Sequence, residues 1–154
     1  MITAPGGNPL SDPVKPEEKE KKMTILTAIH ANCSGCGTCR LACAIANRRE
    51  VNPALAALCI DARFPEPGDY RIRLCDQCGA CAAVCPAEAI KADDGGVYRI
   101  DEAICTGCLE CVEACPEGVV AVTRSTSIPI KCTGCLACVE VCPRDAIQAL
   151  PAAG

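Results

Sequence analysis

Short apolar runs, rather than long amphipathic stretches, make up most of the hydrophobic pattern of this chain. The β-branched run TILTAIHA (24–31) predicts a strand. The segments ALCIDARF (57–64) and YRIRL (70–74) alternate apolar and polar residues, which predicts two further strands. Residues 40–47 predict a short helix between the first of these strands and the second. The pattern indicates an α+β chain of short elements.

The second half of the chain repeats a similar unit. Residues 85–105 predict a strand, a turn at 94–96 (Asp-Gly-Gly) and a second strand. Residues 115–132 predict the same arrangement with a less obvious turn. Repetition at this level indicates one architecture built from related units.

Cysteine-rich loops separate these elements, and their spacing is regular. The spacing C-x2-C-x2-C-x3-C occurs four times and accounts for sixteen of the seventeen cysteines. Such runs are typical iron–sulfur ligand sequences, in which the fourth Cys of one run ligates the cluster of another. Sixteen thiolates suffice for four [4Fe-4S] clusters. The runs are Cys33, Cys36, Cys39 and Cys43; Cys75, Cys78, Cys81 and Cys85; Cys105, Cys108, Cys111 and Cys115; and Cys132, Cys135, Cys138 and Cys142.

The first run differs from the others. Its fourth Cys is followed by Ala44, whereas proline follows the fourth Cys of the other three runs. Because proline stops a helix and alanine does not, the helix that carries Cys43 is expected to continue. Gly35 and Gly37 suit a tight loop whose backbone N–H groups point at sulfur, since glycine reaches positive φ without strain.

Composition favours metal over disulfides as the stabilising element. Although 50% of the residues are hydrophobic, the chain has one Phe, two Tyr and no Trp, so large core side chains are scarce. Small domains with thin cores are usually held by disulfides or metals. The regular spacing and the odd cysteine count argue against a disulfide framework. Structural zinc remains an alternative, although zinc sites favour separated C-x2-C pairs.

Three residues or groups outside the runs need an interpretation. Cys59 has no companions at metal spacing and is predicted to be a buried free thiol. His30 lies beside the first run, where a structural role is favoured over cluster tuning. Phe64 and Tyr70 border a Pro-rich loop and are predicted to form a local core rather than a docking contact.

Charge and targeting signals limit the partners. The formal net charge is −4, and each cluster with its thiolates would add roughly two more negative charges. This argues against a nucleic-acid surface and favours partners with basic or mixed docking faces. The chain contains neither an export-signal pattern nor a run of about 18 apolar residues. We expect a cytoplasmic protein without a membrane span.

The cysteine runs and their surroundings resemble a known family. Residues 75–122, with CPAEAI, GGVYRID and CPEGVV, are similar to an entire bacterial two-cluster ferredoxin. Residues 24–150 resemble the four-cluster ferredoxin-like subunits of multi-subunit oxidoreductases, which include molybdenum and tungsten pterin enzymes and some hydrogenase complexes. The first motif, CSGCGTCRLACAIANRREVNPALAALCI, is similar to that of the same family, in particular to the electron-transfer subunit of bacterial tungsten aldehyde oxidoreductases.

The resemblance implies a ferredoxin-like α+β fold of two nested two-cluster units. The inner unit would span about 70–122, and the outer unit about 24–50 plus 123–150, with 51–74 as an insertion. Residues 1–22 would be a flexible extension or a partner-binding arm preceding the domain at 23–154. The implied ligand sets are Cys33, Cys36, Cys39 and Cys142; Cys132, Cys135, Cys138 and Cys43; Cys75, Cys78, Cys81 and Cys115; and Cys105, Cys108, Cys111 and Cys85. Pairing of the first run with the second, and of the third with the fourth, remains the alternative.

These observations predict an electron-transfer protein without a catalytic site of its own. Fully Cys-ligated clusters leave no open iron for a substrate, and no phosphate loop or nucleophilic triad is present. Four clusters in a short chain favour a relay between a catalytic oxidoreductase subunit and an acceptor, such as a flavin subunit or a soluble ferredoxin. A stand-alone polyferredoxin, or a chain that associates head to tail into a conducting filament, is the alternative.

Overall fold

The computed structural model describes residues 24–124 and 126–151, so the predicted extension at 1–22 lies outside the described residues. Within these ranges the chain folds into short strands and short helices. The strands are β1 (Thr24–Ala28), β2 (Cys59–Ala62), β3 (Tyr70–Arg73), β4 (Ile90–Ala92), β5 (Tyr98–Ile100), β6 (Ala121–Thr123), β7 (Thr126–Ile130) and β8 (Ile147–Pro151). The helices are α1 (Thr38–Arg48), α2 (Ala80–Ala83), α3 (Glu110–Glu113) and α4 (Ala137–Glu140). No helix in the described part is long and apolar enough to cross a membrane.

The described strands form four two-stranded antiparallel sheets. Three are hairpins of consecutive strands: β2 with β3, β4 with β5, and β6 with β7. The fourth sheet pairs β1 with β8, from Thr24 opposite Pro151 to Ala28 opposite Ile147. This pairing brings the two ends of the described chain together, with the other three hairpins between them in sequence.

The cysteine runs share one backbone conformation. In every run, the residue before the helix has a left-handed backbone: φ is +74° at Gly37, +79° at Gly79, +68° at Leu109 and +62° at Leu136. Glycine adopts this conformation freely, whereas leucine does so at a cost. That two leucines accept it shows how strongly the loop geometry is imposed.

Helix α1 is longer than the other three helices, as predicted from the missing proline. It has 11 residues, whereas α2, α3 and α4 have four each. It continues past Cys43 to Arg48, and the next residue, Arg49, terminates the helix with a φ of +57°.

Two hydrophobic clusters divide the described interior. The first, the outer core, draws on both ends of the chain and on the insertion, and its buried residues include Leu55, Leu58, Ile72, Ile130 and Ile147. The second, the inner core, comes from residues 81–120 and is formed by Cys81, Ile90, Cys111 and Val120. Five of the six buried cysteines belong to these cores, so most buried candidate ligands are also part of the packing.

The insertion at 51–74 contributes buried residues to the outer core, but two of its residues are less buried than predicted. Residues 55–58 are all buried, and a 3-10 helix at Pro53–Leu55 introduces them. Phe64 is 88% exposed, so its assignment to a local core is wrong. It lies between β2 and β3 at the tip of a hairpin, where none of the described elements covers it. Cys59 is only partly buried, because it lies in the two-stranded sheet β2–β3.

Two other residues of this region have structural roles. Tyr70 packs so closely on Gly35 that a Cβ there would collide with its ring. The backbone N–H of Ile72 donates a hydrogen bond to Nδ1 of His30 at 3.1 Å, which agrees with the predicted structural role of the histidine.

Candidate metal centre

Four cysteines from the two ends of the chain surround one cavity. Cys33, Cys36 and Cys39 belong to the first run, and Cys142 is the last cysteine of the fourth. The pocket contains about 330 Å³ of space, part of it open to solvent, and Ile60 and Ile72 line its apolar side. Burial raises the pKa of Cys39 to about 11, and the neighbouring thiols Cys36, Cys142 and Cys33 add to the effect.

The two middle runs form a reciprocal pair of cavities. Each cavity is lined by the first three cysteines of one run and the fourth cysteine of the other. They contain about 290 and 310 Å³ of space, part of it open to solvent. The lining cysteines are Cys75, Cys78, Cys81 and Cys115 in the first and Cys105, Cys108, Cys111 and Cys85 in the second.

The remaining candidate ligands also lie together. Burial raises the pKa of Cys138 to about 12, and the thiols of Cys132, Cys43 and Cys135 raise it further. The side-chain Nδ2 of Asn47 lies 3.6 Å from Sγ of Cys43 and 3.8 Å from Sγ of Cys135. The fourth cysteine of the first run therefore stands with the first three of the last run.

The thiol quartets fit a cluster better than a single ion. Among the described residues, no three His, Cys, Asp or Glu side chains converge closely enough to bind one metal ion. In the three cavities described above, the thiols instead surround a space. A tetrahedral zinc site would draw four sulfurs to within about 2.3 Å of one point. Soft, anionic thiolates around a larger cavity suit an iron–sulfur core.

Backbone N–H groups point at the candidate ligands. Gly35 donates to Sγ of Cys33 at 3.4 Å, and Gly134 donates to Sγ of Cys132 at 3.5 Å. Such contacts stabilise thiolate charge, and in bound clusters they raise the reduction potential. Ala89 and Ala146 make equivalent contacts to the cysteine four positions earlier, at 3.3 and 3.2 Å.

The fourth cysteine of the first run obtains its backbone donor from a distant part of the chain. Because α1 continues past Cys43, no Cys-Pro turn brings a nearby N–H back to its sulfur. Ala57, in the insertion, supplies the N–H instead at 3.4 Å. The side chain of Asn47 adds the contacts described above, and its Oδ1 accepts a hydrogen bond from Thr133 at 2.6 Å. Sequence reasoning missed both residues, since neither lies at a motif position.

The elevated thiol pKa values have a consequence for assembly. Burial raises the pKa of Cys111 and Cys132 to about 11, as for Cys39. A buried thiol is therefore protonated at neutral pH in the absence of metal. Ligation requires the thiolate, so binding of iron must displace protons and supply the compensating positive charge.

Two buried polar residues lie beside the candidate ligand Cys75, and the sequence did not predict their role. Lys131 and Gln77 are each only 6% exposed. The Lys131 ammonium donates to Sγ of Cys75 at 3.4 Å and to Oε1 of Gln77 at 2.6 Å. A lysine beside a ligand run is ordinarily a surface residue, so its sequence position gave no signal. Cys59, the seventeenth cysteine, lies opposite Arg73 in the β2–β3 ladder and lines none of the three cavities.

Protein-family models match the same segments. Residues 74–119 and residues 97–143 each match a 4Fe-4S dicluster domain. Residues 30–45 match a 4Fe-4S binding domain. Together these matches include cysteines of all four runs.

Three curated relatives illustrate the similarity. The Escherichia coli (strain K12) protein named "Putative electron transport protein YsaA" is 35% identical over 114 residues, which cover 66% of this chain and 68% of that protein. The thiosulfate reductase electron transfer subunit PhsB of Salmonella typhi is 31% identical, over 64% of this chain and 55% of the subunit. The arsenate respiratory reductase iron-sulfur subunit ArrB of Shewanella sp. (strain ANA-3) is 32% identical, over 61% of this chain and 42% of the subunit. The chain thus spans about half of the two reductase subunits.

A solved structure shows only a distant likeness. A chain of the active site complex BamBC of benzoyl coenzyme A reductase aligns with 82% of this chain at a TM-score of 0.48 and 18% identity. The sequence similarity to YsaA is much stronger, since that protein is 35% identical over 114 residues. Because of the matched 4Fe-4S domains and the similarity to YsaA, the chain belongs to the family of 4Fe-4S ferredoxin-type electron-transport proteins.

Proposed function

We propose that this chain binds four [4Fe-4S] clusters and relays electrons between a catalytic redox subunit and an acceptor. The observation that carries the proposal is the grouping of sixteen cysteines into four quartets, three of which surround a cavity. A thiolate-ligated cluster of this kind takes up and releases single electrons at low potential. The residues of this chain hold the four sites close together, shield them and set their relative potentials.

The ligand sets of this proposal follow the nested scheme. Cys142 lies with the first run at one cavity, which supports an outer unit made from the two ends of the chain. The ladder between β1 and β8 supports the same closure. The reciprocal exchange of Cys85 and Cys115 supports an inner two-cluster unit. The sets are Cys33, Cys36, Cys39 and Cys142; Cys132, Cys135, Cys138 and Cys43; Cys75, Cys78, Cys81 and Cys115; and Cys105, Cys108, Cys111 and Cys85.

Electrostatic coupling between the thiols supports a linear order of the sets. Besides burial, Cys39 raises the pKa of Cys138, which relates the Cys33 set to the Cys132 set. Cys75 acts in the same way on Cys132, whose pKa is raised chiefly by burial. Cys81 likewise acts on Cys111. Because such coupling weakens with distance, the order we propose runs from the Cys33 set through the Cys132 and Cys75 sets to the Cys105 set.

The proposed partners would bind at the two ends of this path. The second cysteine of every set is exposed, namely Cys36, Cys78, Cys108 and Cys135. At the two terminal sets, Cys36 and Cys108 would give electrons access to other proteins. We propose a tungsten or molybdenum pterin enzyme or a hydrogenase as the catalytic partner, with the tungsten aldehyde oxidoreductase type as the specific hypothesis. A flavin subunit or a soluble ferredoxin would be the acceptor. The reducing cytoplasm, where thiols stay available for cluster assembly, is the proposed compartment.

The proposal is tested by anaerobic purification of the tagged chain from its own host. We expect brown protein with iron and sulfide for four clusters, a co-purifying catalytic subunit, and reduction of the clusters when that subunit's substrate is added. A chain that purifies alone and supports no partner's activity would contradict the relay, and head-to-tail filaments in negative stain would favour the self-associating alternative. Colourless protein containing zinc without iron or sulfide would refute the clusters themselves.

A further inference from the structure

We propose that Lys131, held by Gln77, raises the reduction potential of the cluster on the Cys75 set and makes that cluster a preferred position for the electron in the middle of the path. This inference rests on the proposed ligand sets and relay. It concerns two residues at the boundary between the inner and outer units, neither of which belongs to a cysteine motif.

Lys131 places a buried positive charge against a candidate ligand. Its side chain is 6% exposed, and its Nζ lies 3.4 Å from Sγ of Cys75. Nζ also lies 5.9 Å from the centroid of the Tyr98 ring, whose face attracts cations. Among the described residues, no carboxylate lies within ion-pair distance of this ammonium.

An ammonium buried in this way requires a negative partner. Burying a charge without compensation is very unfavourable, and the amide oxygen of Gln77 supplies only a dipole. The remaining partner is the sulfur of Cys75, which becomes anionic when it ligates iron. The positive charge of Lys131 is thus balanced by the Cys75 set, and it favours the reduced form, which carries one more negative charge.

Gln77 holds the lysine in place at a position where the other runs have glycine. The residue before the second cysteine of each run has a left-handed backbone, with φ of +72° at Gly35, +70° at Gly107 and +69° at Gly134, but +59° at Gln77. A side chain in this conformation is strained, and observed strain of this kind points to a function. Gln77 is the one exception to glycine among these four equivalent positions.

The side chain of Gln77 connects both units. Its Oε1 accepts hydrogen bonds from Nζ of Lys131 at 2.6 Å and from the backbone N–H of Tyr98 at 3.1 Å. Its Nε2 donates to the carbonyl of Cys132, in the next set of the path, at 3.3 Å. Gln77 is therefore a positioning residue, which fixes the ammonium at the junction between the Cys75 and Cys132 sets.

An EPR-monitored redox titration of the full-length holoprotein tests the proposal. Lys131→Met removes the charge and keeps most of the volume. We expect the midpoint potential of the Cys75 set to fall most, so that its reduced-to-oxidised ratio at a given potential drops about tenfold, which is about 59 mV for one electron. The midpoint of the Cys132 set should fall less, because Lys131 directly precedes Cys132 but donates to Cys75. Gln77→Gly relieves the backbone strain, removes the anchor and should lower the midpoint of the Cys75 set by a smaller amount.

Controls separate this effect from general damage. Lys91→Met removes an exposed lysine on β4 and should leave all four midpoints unchanged. Cys78→Ser should alter the signal of the Cys75 set, which identifies the midpoint that Lys131→Met must shift. Four clusters with unchanged midpoints in both Lys131→Met and Gln77→Gly, or an equal shift of all four midpoints, would overturn the proposal. A wild-type protein with fewer than four reducible clusters would instead overturn the proposed function.

Discussion

At the residue scale, glycine is required in the ligand loops for two separate reasons. The first is the left-handed backbone, which Gly37 and Gly107 both adopt. The second is close approach by another part of the chain. At Gly107 a Cβ would lie 2.6 Å from the backbone carbonyl oxygen of Ser127, whereas at Gly37 it would meet nothing within 4 Å. The two positions therefore separate backbone strain from steric exclusion.

We predict that Gly107→Ala is much more destabilising than Gly37→Ala. Both variants place alanine at positive φ, which costs about 1 kcal/mol. Only Gly107→Ala also forces β7 away from the ligand loop, because a backbone carbonyl cannot rotate aside as a side chain does. Cluster loss in guanidinium chloride, followed by the bleaching of visible absorbance, should be at least about fivefold faster for Gly107→Ala, a ratio that corresponds to about 1 kcal/mol. Equal rates would contradict the close approach of β7.

At the element scale, the inner and outer cores differ in which segments of the chain form them. The inner core and the partly buried residues packed against it all lie between Cys81 and Val120. The outer core combines β1, α1, the insertion, α4 and β8. Arg73 links the insertion to the segment after Cys115: it forms a bidentate ion pair with Asp61, and its Nη1 donates to the carbonyl of Glu117 at 2.7 Å. This pair holds the pKa of Asp61 below its usual value.

We predict that a fragment of residues 70–122 assembles two clusters without the rest of the chain. Its core and all eight of its candidate ligands lie within it, whereas Ile72 and Leu74 lose their outer-core partners. Anaerobic reconstitution and iron and sulfide analysis would measure the yield. The same fragment with Cys85→Ser should keep one intact [4Fe-4S] cluster. A fragment that binds no cluster under conditions that reconstitute the whole chain would show that the inner unit depends on the outer one.

The elements that depend on local sequence were predictable. The hairpins follow from alternation and turn residues, and the greater length of α1 follows from Ala44 in place of proline. Contacts between distant segments were not predictable, because they depend on how the chain returns on itself. The donor from Ala57 to Cys43 and the junction of Lys131 with Gln77 are of this kind. Phe64 was misassigned because an aromatic residue in a short chain suggests a core, whereas its side chain is exposed between β2 and β3.

At the scale of the whole molecule, the candidate ligands substitute for a conventional core. Six cysteines are among the buried core residues, and the chain has no Trp and one Phe to add apolar area. The same cysteines are expected to bind the clusters. Stability and electron transfer should therefore depend on the same bonds.

We predict that removal of iron unfolds the chain. Without metal, the buried thiols must remain protonated in cores too small to hold the sheets together. Anaerobic treatment with a chelator under reducing conditions should abolish the far-UV circular dichroism of the native protein together with its visible absorbance. Reconstitution with iron and sulfide should restore both signals. Native circular dichroism in a protein freed of iron would show that packing alone maintains the fold.

The nested arrangement of the ligand sets is the central claim, and counting intact [4Fe-4S] clusters in double cysteine variants tests it most directly. Cys33→Ala and Cys142→Ala should each remove the same cluster, so the double variant should lose one cluster, as each single variant does. Cys132→Ala with Cys142→Ala should lose two, because the nested scheme assigns these residues to different sets. Spin integration of the fully reduced proteins would give the counts. Loss of two clusters from the Cys33 and Cys142 double variant would contradict the nested arrangement.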